Sequence, residues 1–572
     1  MEGNGSQEPP PPPHQSVDGE SLQQPTHRRK GGWITFPFLA VAMFGLGIAR
    51  GGATSNLVVY LVKKYNVPRV DAAQISSIVL GCLSLAPVGG AIIADAFFGS
   101  YPVVAVSMVF SVMSLVMFTL TASLHGLLPA PCPPGAAGAT CAPATTGHMA
   151  ALYAAVFMLC ASAGGARFNQ ATLGASQFDA AADRDVLFNW YFVFFNASSI
   201  IGSTVIVYLQ DNVSWALGYG VSGAASLVGL AALLLGTRYY RRPPAQGSPF
   251  TGLARVAVAA VRKRNVNAAT SGEMRFYCGP RGGDADDNAG DVADLTAPSD
   301  SFSFLNRAAL ITDGDVAVAD GSVLRPWRIC TVQQVEDFKA VLRIMPLWST
   351  SIALSVALGT QINFTVLQAL AMDRALGRFT VPAGSMIVVI LTSIVVSLVL
   401  IDRVLHPLWR RLTGHTPTPL QRIGTGHVLA IVSLAAAGAV DRWRMATVRA
   451  HGEESHPQWV SPLSAMWLVL PLAIAGAGQA HYFPGGVMLY FQEFPRSLKN
   501  TSTGLAAVII ALGFYLSTAL VGVVRRTTAW LPNNMNASKL ENVYWLLAVL
   551  LTINFGYFLL CAKLYKYQNL GK

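Results

Sequence analysis

Apolar positions in this chain gather into runs of about twenty residues, where a helix of a water-soluble domain would show one apolar stripe. Six runs fall near 33–62, 75–97, 101–123, 148–175, 187–210 and 214–236. A second six fall near 340–372, 382–403, 421–441, 463–490, 503–524 and 543–566. Each is long enough to cross a hydrocarbon core of about 30 Å, and only a helix lets the backbone satisfy itself there. The pattern predicts an all-α membrane protein with twelve transmembrane helices in two six-helix bundles.

The polar stretches set the organisation. Residues 1–30 hold a proline run at 9–13 and no apolar core, so they read as a disordered tail and not as a signal peptide. The expected units are that tail, an N-terminal bundle over 31–238, a cytoplasmic linker over 239–338 and a C-terminal bundle over 339–572. Within the linker, Ser248 to Arg264 and the segment before Met345 look helical, and the basic amphipathic piece at 254–264 is expected along the inner leaflet.

Composition agrees: 52% of the residues are hydrophobic and only 12% charged, about half the charged share of a soluble domain. The net charge of +11 does not mark a nucleic-acid binder, because the basic clusters His27-Arg28-Arg29-Lys30, Arg238 to Arg242 and Arg262-Lys263-Arg264 lie in connecting segments. With both termini and the linker in the cytoplasm they obey the positive-inside rule. Lys63-Lys64 and the arginines within 442–449 then fall outside and run against it.

Seven cysteines show no metal-ligand spacing, and Cys82, Cys160 and Cys561 sit in apolar runs as small hydrophobes. Cys132 and Cys141 share a Pro/Gly-rich outer loop where a disulfide can persist; two free thiols are the alternative. There is no Walker loop, nucleophile elbow, zinc-binding His-Glu helix or Cys-x-x-Cys, so neither a cofactor nor enzymatic chemistry is expected.

Few charges enter the spans. Away from the helix ends they are Arg50 in the first span and Arg167 in the fourth, with no Asp, Glu or Lys. An ionisable group at membrane depth is costly and usually faces an aqueous cavity. Two arginines without a carboxylate partner suit an anion, and the planar guanidinium fork matches a planar oxyanion such as nitrate. The competing reading has each arginine bound to helix-end carbonyls or to a boundary carboxylate such as Asp95. Asn56, Asn196, Gln361, Gln479 and His481 lie at similar depth, where each lines a pathway or makes an interhelical hydrogen bond. Gly476, Gly478, Gly485 and Gly486 beside Gln479 and His481 permit bending or close approach.

Several segments resemble the plant nitrate and peptide transporter family, the plant branch of the proton-dependent oligopeptide transporters. They are Asn56-Leu57-Val58-Val59-Tyr60-Leu61, Asp95-Ala96-Phe97-Phe98-Gly99, Phe194-Phe195-Asn196, Phe304-Leu305-Asn306-Arg307-Ala308-Ala309, Val335-Glu336-Asp337-Phe338-Lys339 and Ser502-Thr503-Gly504. Gly31 to Phe38, Asp71 to Ile75 and Thr527 to Pro532 are similar to its nitrate excretion subgroup. The resemblance implies a major facilitator fold, structural or gating roles for Asp95, Gly99, Lys339 and Arg343, and a multi-pass protein of the plasma membrane.

Departures from the family pattern bear on mechanism. Proton-coupled members carry Glu-x-x-Glu-Arg on the first helix, where this chain has Met43, Leu46 and Gly47. Gln479 stands at the tenth-helix glutamate, Arg167 keeps the cation of the fourth-helix lysine, and Leu358 falls near a seventh-helix histidine of some nitrate carriers. His481 is then the remaining candidate for a group that titrates near neutral pH. The expectation is an alternating-access carrier of a small anion, nitrate first, weakly or not proton-coupled. The alternatives are chloride, an organic anion, a phytohormone or a specialised metabolite, or a sensor that transports nothing.

Overall fold

A computed structural model describes residues 31–131, 142–178, 181–242, 249–264, 276–278, 298–312, 315, 323–415, 417–493 and 501–565. Cys132 and Cys141 lie outside the described residues.

Twelve long helices follow, numbered here in chain order. The N-terminal bundle holds α1 (Trp33–Thr54), α2 (Arg69–Phe98), α3 (Ser100–Ser123), α4 (Thr146–Ala175), α5 (Ala181–Ile201) and α6 (Trp215–Arg238). The C-terminal bundle holds α7 (Val332–Leu370), α8 (Ala383–Thr413), α9 (Pro419–Ala450), α10 (Val469–Glu493), α11 (Thr501–Thr527) and α12 (Leu540–Leu564). Ten meet the length and hydropathy of a membrane span among the described residues, and the more polar α5 and α10 complete the set.

Side-chain chemistry fixes several ends. Thr145, Thr331 and Thr418 cap α4, α7 and α9, each in a reciprocal capping box with His148, Gln334 and Gln421. The α2–α3 turn passes through Gly99 at φ 76°, which an L side chain adopts only under strain.

Within the bundles α1 packs on α5 and α6, α3 on α4 and α6, α9 on α10 and α12, and α7 on α11 and α12. Between them α2 meets α11 and α7, and α5 meets α8. One apolar core runs across this junction on the outer side, from Val58, Tyr60 and Leu83 to Phe364, Met386 and Tyr544. On the inner side the bundles keep separate clusters, around Met43, Tyr101 and Leu233 in one and Ile344, Ile423 and Phe558 in the other. The two bundles are thus joined by a shared apolar core at the outer end and carry separate apolar clusters at the inner end.

Three of the five outer charges that break the positive-inside rule are paired within the protein. Lys63 pairs with Asp211 at 2.9 Å, Arg449 with Glu454 at 3.1 Å, and the buried Arg444 with the buried Asp441 at 2.9 Å. Asp441 also accepts from Gln368 Nε2 and the Glu541 amide, while Arg444 donates to the Met535 carbonyl, so one pair organises three outer elements.

The linker is built on the C-terminal bundle. Its helix Pro249–Arg262 has the expected amphipathic pattern, but protein covers the apolar face: Val256, Ala259 and Ala260 pack with Leu305, Ala308, Ala309, Val332 and Val335. This corrects the leaflet reading of 254–264. Lys339 is fully buried, paired with Glu336 at 2.8 Å and donating to the Ser299 carbonyl, while Arg343 donates to the Ser301 hydroxyl. Elsewhere in the linker Lys263 and Asp315 form a fully buried ion pair at 2.7 Å.

Candidate functional site

Two helices of the N-terminal bundle break at membrane depth, and each break stands beside one of the span arginines. The α1 helix stops at Thr54 and resumes as Leu57–Lys64, leaving Ser55 and Asn56 as a turn. The α4 helix is interrupted at Arg167 and Phe168. Carbonyls freed there need partners: the Asn169 amide donates to the Gly165 carbonyl at 2.9 Å and to the Gly90 carbonyl of α2 at 3.2 Å. A Cβ at Gly90 would lie 2.0 Å from the Gly164 carbonyl oxygen, so glycine is what admits α4 this close to α2.

Arg50 and Arg167 are both half-buried and lie within electrostatic range of each other and of Tyr191 on α5. The Tyr191 hydroxyl donates to the Arg167 carbonyl at 3.0 Å, and its ring stacks on Phe195. Neither arginine has a carboxylate partner among the described residues; the Asp95 side chain lies outside them. Two guanidinium groups within electrostatic range repel, and an anion between or beside them relieves that repulsion. Tyr191 escaped the sequence reading because a tyrosine in an apolar run resembles a core residue, although it stands beside the quoted Phe194-Phe195-Asn196.

The other expected residues divide. Asn196 lies half-buried on α5, and Gln479 half-buried on α10 with a buried, unpartnered Nε2. Gln361 is 3% exposed and exchanges hydrogen bonds with Ser433 on α9, so it stitches helices of one bundle. Asn56 is buried likewise, donating to Gln210, which donates to the Gly52 carbonyl and bridges the α1 break. His481 bonds the Ala477 carbonyl through Nδ1 and lies within electrostatic range of His406 near the inner end of α8. It shares a helix face with the exposed Leu470, away from Gln479.

Met43, Leu46 and Gly47, where the resemblance places a coupling motif, are taken up by packing. Met43 is 7% exposed in the inner apolar cluster, with Leu46 against it. A Cβ at Gly47 would lie 1.8 Å from the Ser198 Oγ on α5.

Comparison with known proteins now decides the family. The sequence profile PTR2, described as the POT family, matches residues 101–540. The chain belongs to the POT family. Among its POT-family relatives, NRT1/PTR family protein 2.3 of Arabidopsis thaliana is 44% identical over 544 residues, spanning 95% of this chain and 94% of that one. The NRT1/PTR family 2.7 protein of the same plant is 43% identical over 551 residues, 96% and 95% of the two chains. Solved POT structures share the fold: an auto-inhibited peptide transporter aligns with a TM-score of 0.69 at 17% identity over 94% of this chain and 98% of its own. The transporter PepTSo aligns with a TM-score of 0.69 at 16% identity over 94% and 99%. The protein is therefore a multi-pass membrane transporter of the major facilitator type, and not an enzyme.

Proposed function

We propose that this POT-family transporter carries nitrate by alternating access in the plasma membrane, with no fixed proton ratio and with export favoured. The observation that carries the reading is the pair Arg50 and Arg167, half-buried beside two helix breaks without a carboxylate partner among the described residues. A weakly hydrated planar monoanion gains two charge-assisted contacts there and relieves the repulsion between the cations. Asn196 and Gln479 supply neutral polar contacts to the same path. Neutral Met43, Leu46, Gly47 and Gln479 cannot relay a proton, and the face of His481 turns it away from Gln479. An inside-negative potential then drives the anion outward by about 2.3 kcal/mol per 100 mV.

The test is current recording from cells expressing the protein, with nitrate gradients at about pH 5.5 and about pH 7.5. Reversal should track the nitrate equilibrium potential at both values. A reversal that moves by tens of millivolts per pH unit defeats the uncoupled mechanism, and absence of nitrate current defeats the substrate.

A further inference from the structure

The helix α8 is longer than the membrane it crosses. Its 31 residues, at about 1.5 Å each, reach about 46 Å against a hydrocarbon core of about 30 Å, so about ten residues pass beyond the inner side. At that boundary the helix widens into a π-helical turn, Ile401–Leu405, and Pro407 follows directly. A π-turn and a proline are both places where a helix bends, because each interrupts the backbone ladder. The extension His406–Thr413 ends at Gly414, φ 79°, whose amide closes on the Arg410 carbonyl at 2.9 Å.

The extension has two faces. At 100° per residue, Val404, Leu405, Leu408, Trp409 and Leu412 share one side. Arg403, Arg410 and Arg411 share the other. All are exposed, Leu412 to 76%. No ion pair is recorded for the three arginines among the described residues; the nearby Asp402 instead faces His406 at 3.7 Å. The other basic amphipathic helix, Pro249–Arg262, spends its apolar side on protein, whereas this one has an exposed apolar side next to three cations with no ion pair among the described residues.

We propose that the inner extension of α8 is a binding site for anionic phospholipid headgroups, turned into the plane of the inner leaflet at the Ile401–Leu405 turn. Arg403, Arg410 and Arg411 take the headgroup phosphates, Leu412 enters the acyl boundary and Trp409 sits at headgroup level. A protein partner could cover the apolar side, but an anionic leaflet satisfies both faces at once and is continuous with a helix already in the bilayer.

The experiment reconstitutes the full chain in nanodiscs of phosphatidylcholine with or without phosphatidylserine. Lipid retained after transfer to detergent is counted by mass spectrometry, for the wild type and for R403Q/R410Q/R411Q. The wild type should retain phosphatidylserine selectively, and the triple variant should bind it about a hundredfold more weakly, the equivalent of about 1 kcal/mol per arginine. A dye on Leu412→Cys, read against unsubstituted protein labelled in parallel, should be quenched by brominated acyl chains and not by aqueous iodide. Equal retention by both proteins overturns the proposal. Quenching by iodide alone, or full competition by soluble glycerophosphoserine, overturns it too, because the site would then be an aqueous phosphate site. The exchanged residues are exposed, so the triple variant should elute as wild type does, and selective retention by the folded variant counts against the arginines.

Discussion

Arg525, near the outer end of α11, is ion-paired with Asp71 in the first turn of α2, and this pair ties the two bundles at the outer mouth. It belongs to a seal with Arg69, which donates to the Pro457 carbonyl at 3.1 Å, and Asn363, which donates to Ser77 at 2.8 Å. Because both partners are about one-third exposed, the pair contributes about 0.5 kcal/mol. Arg525→Gln should therefore shift the population toward the outward-open form about twofold. Accessibility of a cysteine at Ser76, which lines the small cavity beneath the seal, measures it, and an unchanged labelling rate refutes the gating role.

Arg167→Gln should lower nitrate flux ten- to a hundredfold at unchanged surface expression, since a charge-assisted contact is worth about 1.5–3 kcal/mol. Arg167→Lys should recover part of the flux, keeping the charge without the fork. Radiotracer uptake normalised to surface protein reads both. Wild-type flux in the glutamine variant would remove Arg167 from the substrate path.

Rebuilding the coupling motif at Gly47 should fail for steric reasons. Gly47→Ala already drives a methyl into Ser198, and overpacking of this kind costs about 1–3 kcal/mol. Its unfolding midpoint in detergent should fall, and adding Ser198→Gly should restore most of the loss. A midpoint that ignores Ser198 would show that α1 and α5 move apart freely.

In the linker, burial pulls the Lys263 ammonium below its ordinary range even with Asp315 beside it. Burial also pushes the Asp315 carboxyl up, but hydrogen bonds from Lys263 and Thr312 outweigh it and hold the group below 3.8. A depressed carboxylate stabilises the fold above its unfolded value, so this contribution is complete near neutral pH and is lost as pH falls below about 4 through the folded value. Asp315→Asn leaves a buried cation unpaired and should cost about 3–5 kcal/mol of linker stability. Hydrogen exchange over Pro249–Arg262 should rise in that variant and stay unchanged in an exposed control such as Arg325→Gln.

The spans were legible because twenty-residue apolar runs admit one conformation in lipid, and the two arginines because no other residue away from the span ends is charged. The breaks at Ser55–Asn56 and Arg167–Phe168 were not, since the side chains that repair them, Gln210 and Asn169, come from elsewhere in the chain or look like pathway residues. Gln361 stayed open between two readings for the same reason: a buried amide that binds Ser433 carries the same signature as one that faces a cavity. Lys63, Arg444 and Arg449 looked like topology violations because their partners Asp211, Asp441 and Glu454 are identified only by contact. The linker helix was correctly placed, but the surface covering its apolar face, Leu305 to Ala309 and the first turn of α7, is distant in sequence.

That last arrangement sets an order of events during synthesis. The linker's apolar cluster is closed by Val332 and Val335, which lie on α7, so helix Pro249–Arg262 leaves the ribosome well before the residues that shelter it. Until α7 appears, Val256 and Ala259 are exposed and Lys263 has no buried environment to share with Asp315. The linker therefore matures with the second half of the protein, and a chain divided within residues 243–248 would leave that cluster whole in the C-terminal fragment.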